Sequence, residues 1–385
     1  LPDDLFVQPG EKTPNRIGFS KYASYINTVA EQKYGRPLVV AMSADLADST
    51  NVSGFAKEYG GTKSKGFYDK ENNPNSPLMP QGITEFTNAG MMAGLATVNF
   101  SEDTYKEFNG FYGTMSTYGS FSYLKYGPLR LFSQIAQDSD LKVGKVIWVA
   151  GHSGPETAED SRTHFGIFAP GVTQLFPEGQ IINLHPWEHN EVAPCLAAAL
   201  STDVALIALH LTRPPVTIPD RQALGMASYL ATARGAYIIK DYDHNVDKKG
   251  VVIIRGTSST NSLVEILPKL TEEGPNVKIV AAVSWELFQR QPEDYQYSVI
   301  SGQEWQDAMV ITNGALRLMH KWMANRIVEE YSLSPDFDNR WRTGGSLEQI
   351  IKESKLDPHS VWDGIMHFTN DREKRLTRLR SEIPT

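Results

Sequence analysis

Apolar and polar positions fall in blocks along this chain, and the blocks predict strands that feed helices. Helical periodicity over Tyr22–Glu31 leads into the apolar run Pro37-Leu38-Val39-Val40-Ala41, which ends in the polar cluster Ser43–Ser49. A strand buried on both faces is apolar throughout, so this run predicts a parallel strand emptying into a loop. Similar runs recur at Lys145–Ala150 and Val204–Leu209, with helical patterns at Met91–Thr97, Leu129–Ala136 and Asn190–Leu200. Strands alternating with helices predict an α/β fold of mainly parallel sheets covered by helices.

The pattern breaks at Arg213–Pro219, where Pro214, Pro215 and Pro219 remove backbone donors and cannot continue a central strand. After the polar segment Asp241–Gly250 a second α/β pattern begins. Val251–Ile254 predicts a strand, Asn261–Glu273 a helix, Val277–Val283 a strand and Leu316–Tyr331 one long amphipathic helix. Two α/β domains follow, with no short internal repeat and no low-complexity tract.

Composition narrows the class. A chain of 385 residues, 41% hydrophobic and 21% charged, is too long for one small core and too apolar for a disordered polymer. Net charge of −8 argues against a nucleic-acid partner, which selects a basic face. The basic run Arg372–Arg380 is interrupted by other residues and predicts a solvated helix face. The single cysteine, Cys195, excludes an intrachain disulfide and a cysteine metal cage; its apolar surroundings predict a core filler and fit a reducing cytoplasm. No run reaches the ~20 apolar residues of a bilayer span, so no membrane partner is expected. The chain opens Leu1-Pro2-Asp3-Asp4 without an initiator Met, as a piece of something longer would.

Nucleotide-binding glycine motifs and a G-x-S-x-G elbow are missing. His185-Pro186-Trp187-Glu188-His189 matches a zinc-protease pattern, but Pro186 pushes His185 out of helical geometry, so no metal site is expected here. The cluster Gly151–His164 leaves the carboxyl end of a predicted strand, where open α/β sheets bind ligands. Its histidines and carboxylates suit a polyhydroxylated substrate, or an ordinary solvated loop. Glu85 enters the otherwise uncharged stretch Gly82–Gly90. If buried it must be protonated, hydrogen-bonded or functional; otherwise it caps a helix start. Tyr112, Tyr118, Phe121, Tyr123 and Tyr126 crowd one glycine-punctuated stretch, as core or as a sandwich for a flat heterocycle.

In this order the segments resemble transketolase, specifically its pyrimidine-binding and C-terminal domains. The likeness runs from Lys21-Tyr22-Ala23-Ser24 through Ser43–Ala47, Glu85, the aromatic stretch to Arg130 and the His152…Asp160…His164 loop. It continues through Leu211-Thr212-Arg213, Arg234–Tyr237 and Gly256–Ser259 to Ser284–Phe288, and fades beyond Ser301. The resemblance implies a linker-like segment 1–16, a pyrimidine-binding domain 17–213, an interdomain linker 214–249 and a C-terminal-like domain 250–385. It further implies a thiamine diphosphate enzyme of the pentose phosphate pathway, moving a two-carbon ketol unit between sugar phosphates. Glu85 would hydrogen-bond N1′ of the aminopyrimidine and so promote loss of the thiazolium C2 proton, while Tyr118 and Phe121 pack around the ring. A desolvated carboxyl group suits that proton sharing. Asp160 would bind a sugar hydroxyl, His164 would lie at the reacting end, and Lys21, Ser49, His152 and Arg213 would bind the terminal phosphate.

The sequence departs from the family in places. Lys21 stands where Arg is usual, keeping charge without the bidentate fork, and Ala158 and Ser161 replace glycines. The Gly-Asp-Gly start of the family's diphosphate-binding domain is missing, and with it a candidate set for Mg2+ or Ca2+. The resemblance therefore implies a homodimer that forms half of each active site, completed by a diphosphate-binding domain or subunit and nearly inactive alone. Rival readings are the β subunit of a 2-oxo acid dehydrogenase, a deoxyxylulose phosphate synthase, or a non-catalytic assembly module of the same fold.

Overall fold

The computed structural model describes residues 1–382 except 45–46, 51, 57–65, 81, 152, 160 and 343. A short strand, β1 (Lys12–Thr13), precedes the long helix α1 (Asn15–Tyr34). Strands β2 (Val39–Ser43), β3 (Tyr112–Thr117), β4 (Val146–Ala150), β5 (Ile181–Leu184) and β6 (Leu206–His210) then build a five-stranded sheet. Its order is β2-β3-β4-β6-β5 and every pairing is parallel. The helices that cover it, besides α1, are α2 (Glu85–Leu95), α3 (Tyr126–Asp138) and α4 (His189–Leu200).

Side chains on a strand alternate between faces, and β4 shows what each face meets. Ile147 and Val149 pack with Phe19 of α1 and Val192 of α4, whereas Val146 and Trp148 pack with Met92 of α2 and Phe132 of α3. Both faces are dry, which explains the continuous apolar runs. Gly113 in β3 lets α2 lie close, because a Cβ there would sit 2.4 Å from the Met92 carbonyl oxygen. That approach sets the height at which α2 presents its first residue, Glu85.

The proline-rich break becomes β7 (Val216–Thr217), which pairs with β1, antiparallel, in a two-stranded sheet. Prolines tolerate such an edge position. The second sheet contains β8 (Ala236–Lys240), β9 (Val251–Arg255), β10 (Lys278–Ala282) and β11 (Ala308–Thr312) in the order β11-β9-β10-β8. Only β8 runs antiparallel. The stretch 214–249, expected as a linker, thus contributes both β7 and β8. Helices α5 (Thr257–Glu272) and α6 (Trp285–Gln289) follow β9 and β10.

Two expectations are corrected. Leu316–Tyr331 is not one helix: a 3-10 turn over Leu316–Trp322 stops, and a new helix, Arg326–Tyr331, starts where the Asn325 side chain accepts from the Ile327 and Val328 amides. Nor is the Arg372–Arg380 face simply solvated. Arg375 is buried, donating to Asp307 at 2.7 Å and lying 3.6 Å from the Phe368 ring centre. Cys195 is a buried core residue, and no helix among the described residues is long and apolar enough to cross a membrane.

Candidate active site

Parallel strands align their carboxyl ends on one edge of a sheet, and the candidate residues gather there. Thr117 ends β3, and Tyr118 and Phe121 follow it directly. Ser49 lies in the loop after β2, the His164 loop leaves β4, and Arg213 follows β6. Backbone bonds hold these exits together: Gly151 N–H donates to the Thr117 carbonyl, Leu211 to Ala150, and Ser153 to Leu211, at 2.8–2.9 Å.

Glu85 is the first residue of α2 and is 7% exposed. Thr117 Oγ1 donates to its Oε1 at 3.0 Å. Its other oxygen receives no hydrogen bond from any described residue, so one lone-pair face of a buried carboxyl is left for a ligand. Glu85 is also the acidic residue of the first turn of α2, where the helix dipole favours a carboxylate, while the Thr84 side chain makes no cap bond. Behind it lies Lys125, fully buried, donating to the Met115 carbonyl at 3.2 Å and the Val149 carbonyl at 2.8 Å. Burial drives the Lys125 pKa well down, and the neighbouring charge of Glu85 opposes that shift.

Tyr118 lies over His164, ring centres 4.2 Å apart, and Phe121 meets His164 edge-on at 6.0 Å. The Tyr118 hydroxyl is 3.1 Å from Ser49 Oγ. Thr157 Oγ1 donates to the His164 carbonyl and fixes the loop from inside. Arg16, in the first turn of α1, donates to the Ser49 carbonyl at 2.6 Å. Burial, and next the like charge of Arg213, lower the Arg16 pKa. Two guanidinium groups near enough to repel are stabilised by an anion placed between them, and each offers a fork suited to phosphate.

Tyr118, Phe121, Ser49, His164 and Arg213 therefore belong to one edge with Glu85. Lys21 lies exposed on α1, where its charge bears on His189. His152 and Asp160 fall outside the described residues, as do Asp45 and Leu46. Sequence reading missed Arg16 because the linker-like segment was taken to end there, whereas α1 begins at Asn15. The zinc-like motif separates: His185 stacks on His210 at 4.2 Å, while His189 Nε2 lies 3.1 Å from the Leu5 carbonyl.

The loop also docks on the second sheet. Glu156, 2% exposed, accepts from the Ser258 amide at 2.8 Å and from Asn313 Nδ2 at 3.3 Å. Burial pushes its carboxyl pKa up, against those hydrogen bonds. Gly256, at φ +98°, makes room, because a Cβ would overlap the Asn313 side chain.

A parallel sheet carrying a buried glutamate and aromatic residues at its carboxyl edge, beside a mixed sheet, defines a two-sheet α/β architecture. The chain belongs to the transketolase family: residues 23–217 match the transketolase pyrimidine binding domain and residues 235–331 the transketolase-like TK C-terminal domain. A probable transketolase of Schizosaccharomyces pombe is 28% identical over 300 residues, covering 74% of this chain and 37% of that protein. The solved transketolase of Leishmania mexicana shares the fold with a TM-score of 0.69 at 17% identity, over 97% of this chain and 48% of its own. A split-gene transketolase, solved as an inactive β4 tetramer, matches with a TM-score of 0.57 at 16% identity, over 94% of this chain and 100% of its own. The chain spans 37% of the Schizosaccharomyces pombe protein and 34% of the transketolase of Aquifex aeolicus, which it also matches. Family membership implies thiamine diphosphate, and the Glu85 oxygen that takes no hydrogen bond from any described residue fits its aminopyrimidine end.

Proposed function

We propose that this chain is the pyrimidine-binding and C-terminal part of a transketolase, moving a two-carbon ketol unit between sugar phosphates once a diphosphate-binding domain or subunit completes the site. The observation that carries the reading is Glu85: a buried carboxyl held by Thr117, its second oxygen taking no hydrogen bond from any described residue. Bound thiamine diphosphate would supply the electron sink for carbon–carbon cleavage. Glu85 would hold the shared proton at the pyrimidine N1′, and Thr117 would keep the accepting oxygen turned away from it. Phe121 and Tyr118 would exclude water from the ring's flank. His164, braced against Tyr118, would donate to oxygen at the reacting end. Arg213 and Arg16, with Ser49, would hold the terminal phosphate, with His152 and Asp160 as further substrate contacts and Lys21 as a peripheral positive charge.

Partnership rests on the surface beside Glu85. Ile83, Phe86 and Met91 are 76%, 65% and 52% exposed around α2, and Leu131 on α3 is 57% exposed. An apolar cluster of this kind marks a contact face. A homodimer joined there, with each site completed by a partner that brings the diphosphate anchor and its Mg2+ or Ca2+, agrees with the full-length match to a split-gene subunit.

The test mixes this chain with a transketolase diphosphate-binding domain, thiamine diphosphate and magnesium, and assays ketose phosphate against 2-oxo acid as donor. Turnover of ketose phosphate in the mixture, near none in either component alone, is the expected result. Glu85→Ala should lower it at least ~100-fold. Retained activity in that variant, or preference for the 2-oxo acid, overturns the assignment.

A further inference from the structure

Between the two sheets lies a cavity of about 240 Å³ that shares no lining residue with the Glu85 edge. Its chemistry is unusual for a structural void. Arg255, at the end of β9, lines it while only 6% exposed. Among the described residues this guanidinium makes one hydrogen bond, from Nη1 to the Leu318 carbonyl, at 3.3 Å. No carboxylate among the described residues lies within ion-pair distance of it. Buried arginines are otherwise paired in this molecule: Arg221 with Glu188 and Glu191, Arg342 with Asp338, Arg375 with Asp307. A buried cation without an ion pair is costly; Glu286 offsets it only from beyond ion-pair distance, and a ligand anion in the cavity would offset it directly.

The other charges on the wall are already engaged. Glu286 accepts from the Asn183 amide at 3.1 Å and faces Lys321 Nζ at 4.0 Å; Lys321 also faces Glu178 at 3.7 Å. Burial lowers the Arg255 pKa to about 10, with Glu286 opposing, so the group remains cationic at neutral pH. His185 lines the cavity and lies flat on His210, 4.2 Å away at 4°. Burial keeps both imidazoles neutral, His210 with its pKa brought down to about 3. Trp285 and Trp322, packed edge to face at 5.1 Å, supply an apolar wall.

We infer that this interdomain cavity binds a small organic anion, its single oxyanion head, carboxylate or phosphate, on Arg255 and its apolar body against Trp285 and Trp322. One head group suffices, because Lys321 is shared by two acids, whereas Arg255 makes no ion pair among the described residues and feels Glu286 only from beyond ion-pair distance. The volume admits a small metabolite and excludes a dinucleotide. The bound molecule would touch β5, β9 and α6 together, tying the two sheets across their junction. The site stands apart from the ketol-transfer reading, and its test needs no enzyme activity.

The full chain is titrated calorimetrically with phenylphosphate and, separately, with benzoate, so that the arm that saturates identifies the head group. Saturable binding tighter than about 10 mM is expected in one arm. Arg255→Met should weaken it at least about tenfold, and Glu286→Gln, which removes a nearby negative charge, should tighten it. The opposite signs separate ligand contact from general damage, and if Arg255→Met does not fold, the gain in Glu286→Gln alone decides. No saturation in either arm, or an affinity that neither substitution moves as stated, overturns the site.

Discussion

Thr117 has one hydroxyl and it goes to Glu85. A hydrogen bond to an ionisable group contributes about 1.5–3 kcal/mol, so orientation of this carboxyl depends on that donor. Thr117→Val keeps the shape of the strand and removes only the donor; ketol transfer in the reconstituted mixture should fall roughly tenfold, with the thermal midpoint little changed. Equal activity would mean that Thr117 fills space and nothing more. Glu85 was visible in the sequence as a lone carboxylate in an uncharged stretch. Lys125, its buried neighbour, was not, because a lysine in an aromatic stretch carries no mark that its amine will bond two strand carbonyls.

At the scale of elements, the loop after β4 is held by what it reaches. Glu156 ends on the first turn of α5 and on Asn313, so the His164 loop takes its position from the second sheet as well as from the first. Glu156→Ala should raise KM for the sugar phosphate about fivefold, equivalent to ~1 kcal/mol, with a smaller change in kcat, and Glu156→Gln should recover most of it. A kcat loss at unchanged KM would contradict this positioning role. The strands with long apolar runs, β2, β4, β6, β9 and β10, were legible from periodicity. β3 was not: Gly113, Thr114, Ser116 and Thr117 look like loop, and only the close seat of α2 on Gly113 explains a central strand of such small and polar residues.

Across the whole molecule, a buried ion cluster joins the α4 region to β8. Arg221 donates to Glu188 at 2.8 Å and Glu191 at 2.7 Å, and Tyr237 in β8 donates to Glu191 at 2.5 Å. Arg221→Ala leaves two buried carboxylates uncompensated and should cost ~3–5 kcal/mol in urea unfolding. Burial, reinforced by the charge of Glu191, lifts the Glu188 pKa from 4.5 to about 7 although Arg221 pulls it down. The folded state then holds this proton more tightly than the unfolded chain. The stability Glu188 contributes is complete below about pH 4.5 and is lost as pH rises through about 7. The unfolding free energy of wild type minus that of Glu188→Gln should therefore decline across that window and level off above it. A flat difference from acid to neutral pH would place the proton elsewhere.

Local chemistry settled the α/β class, the run of strands through β2, β4, β6, β9 and β10, and the family to which the chain belongs, because burial on both faces and short ligand loops leave their mark in consecutive residues. Arg16 joining the strand-end edge, β8 emerging from a presumed linker, the Glu156 clamp and Arg255 without an ion pair among the described residues left no such mark. Each arises from contacts between segments far apart in the chain, and only folding brings those charges within range of one another or removes them from water.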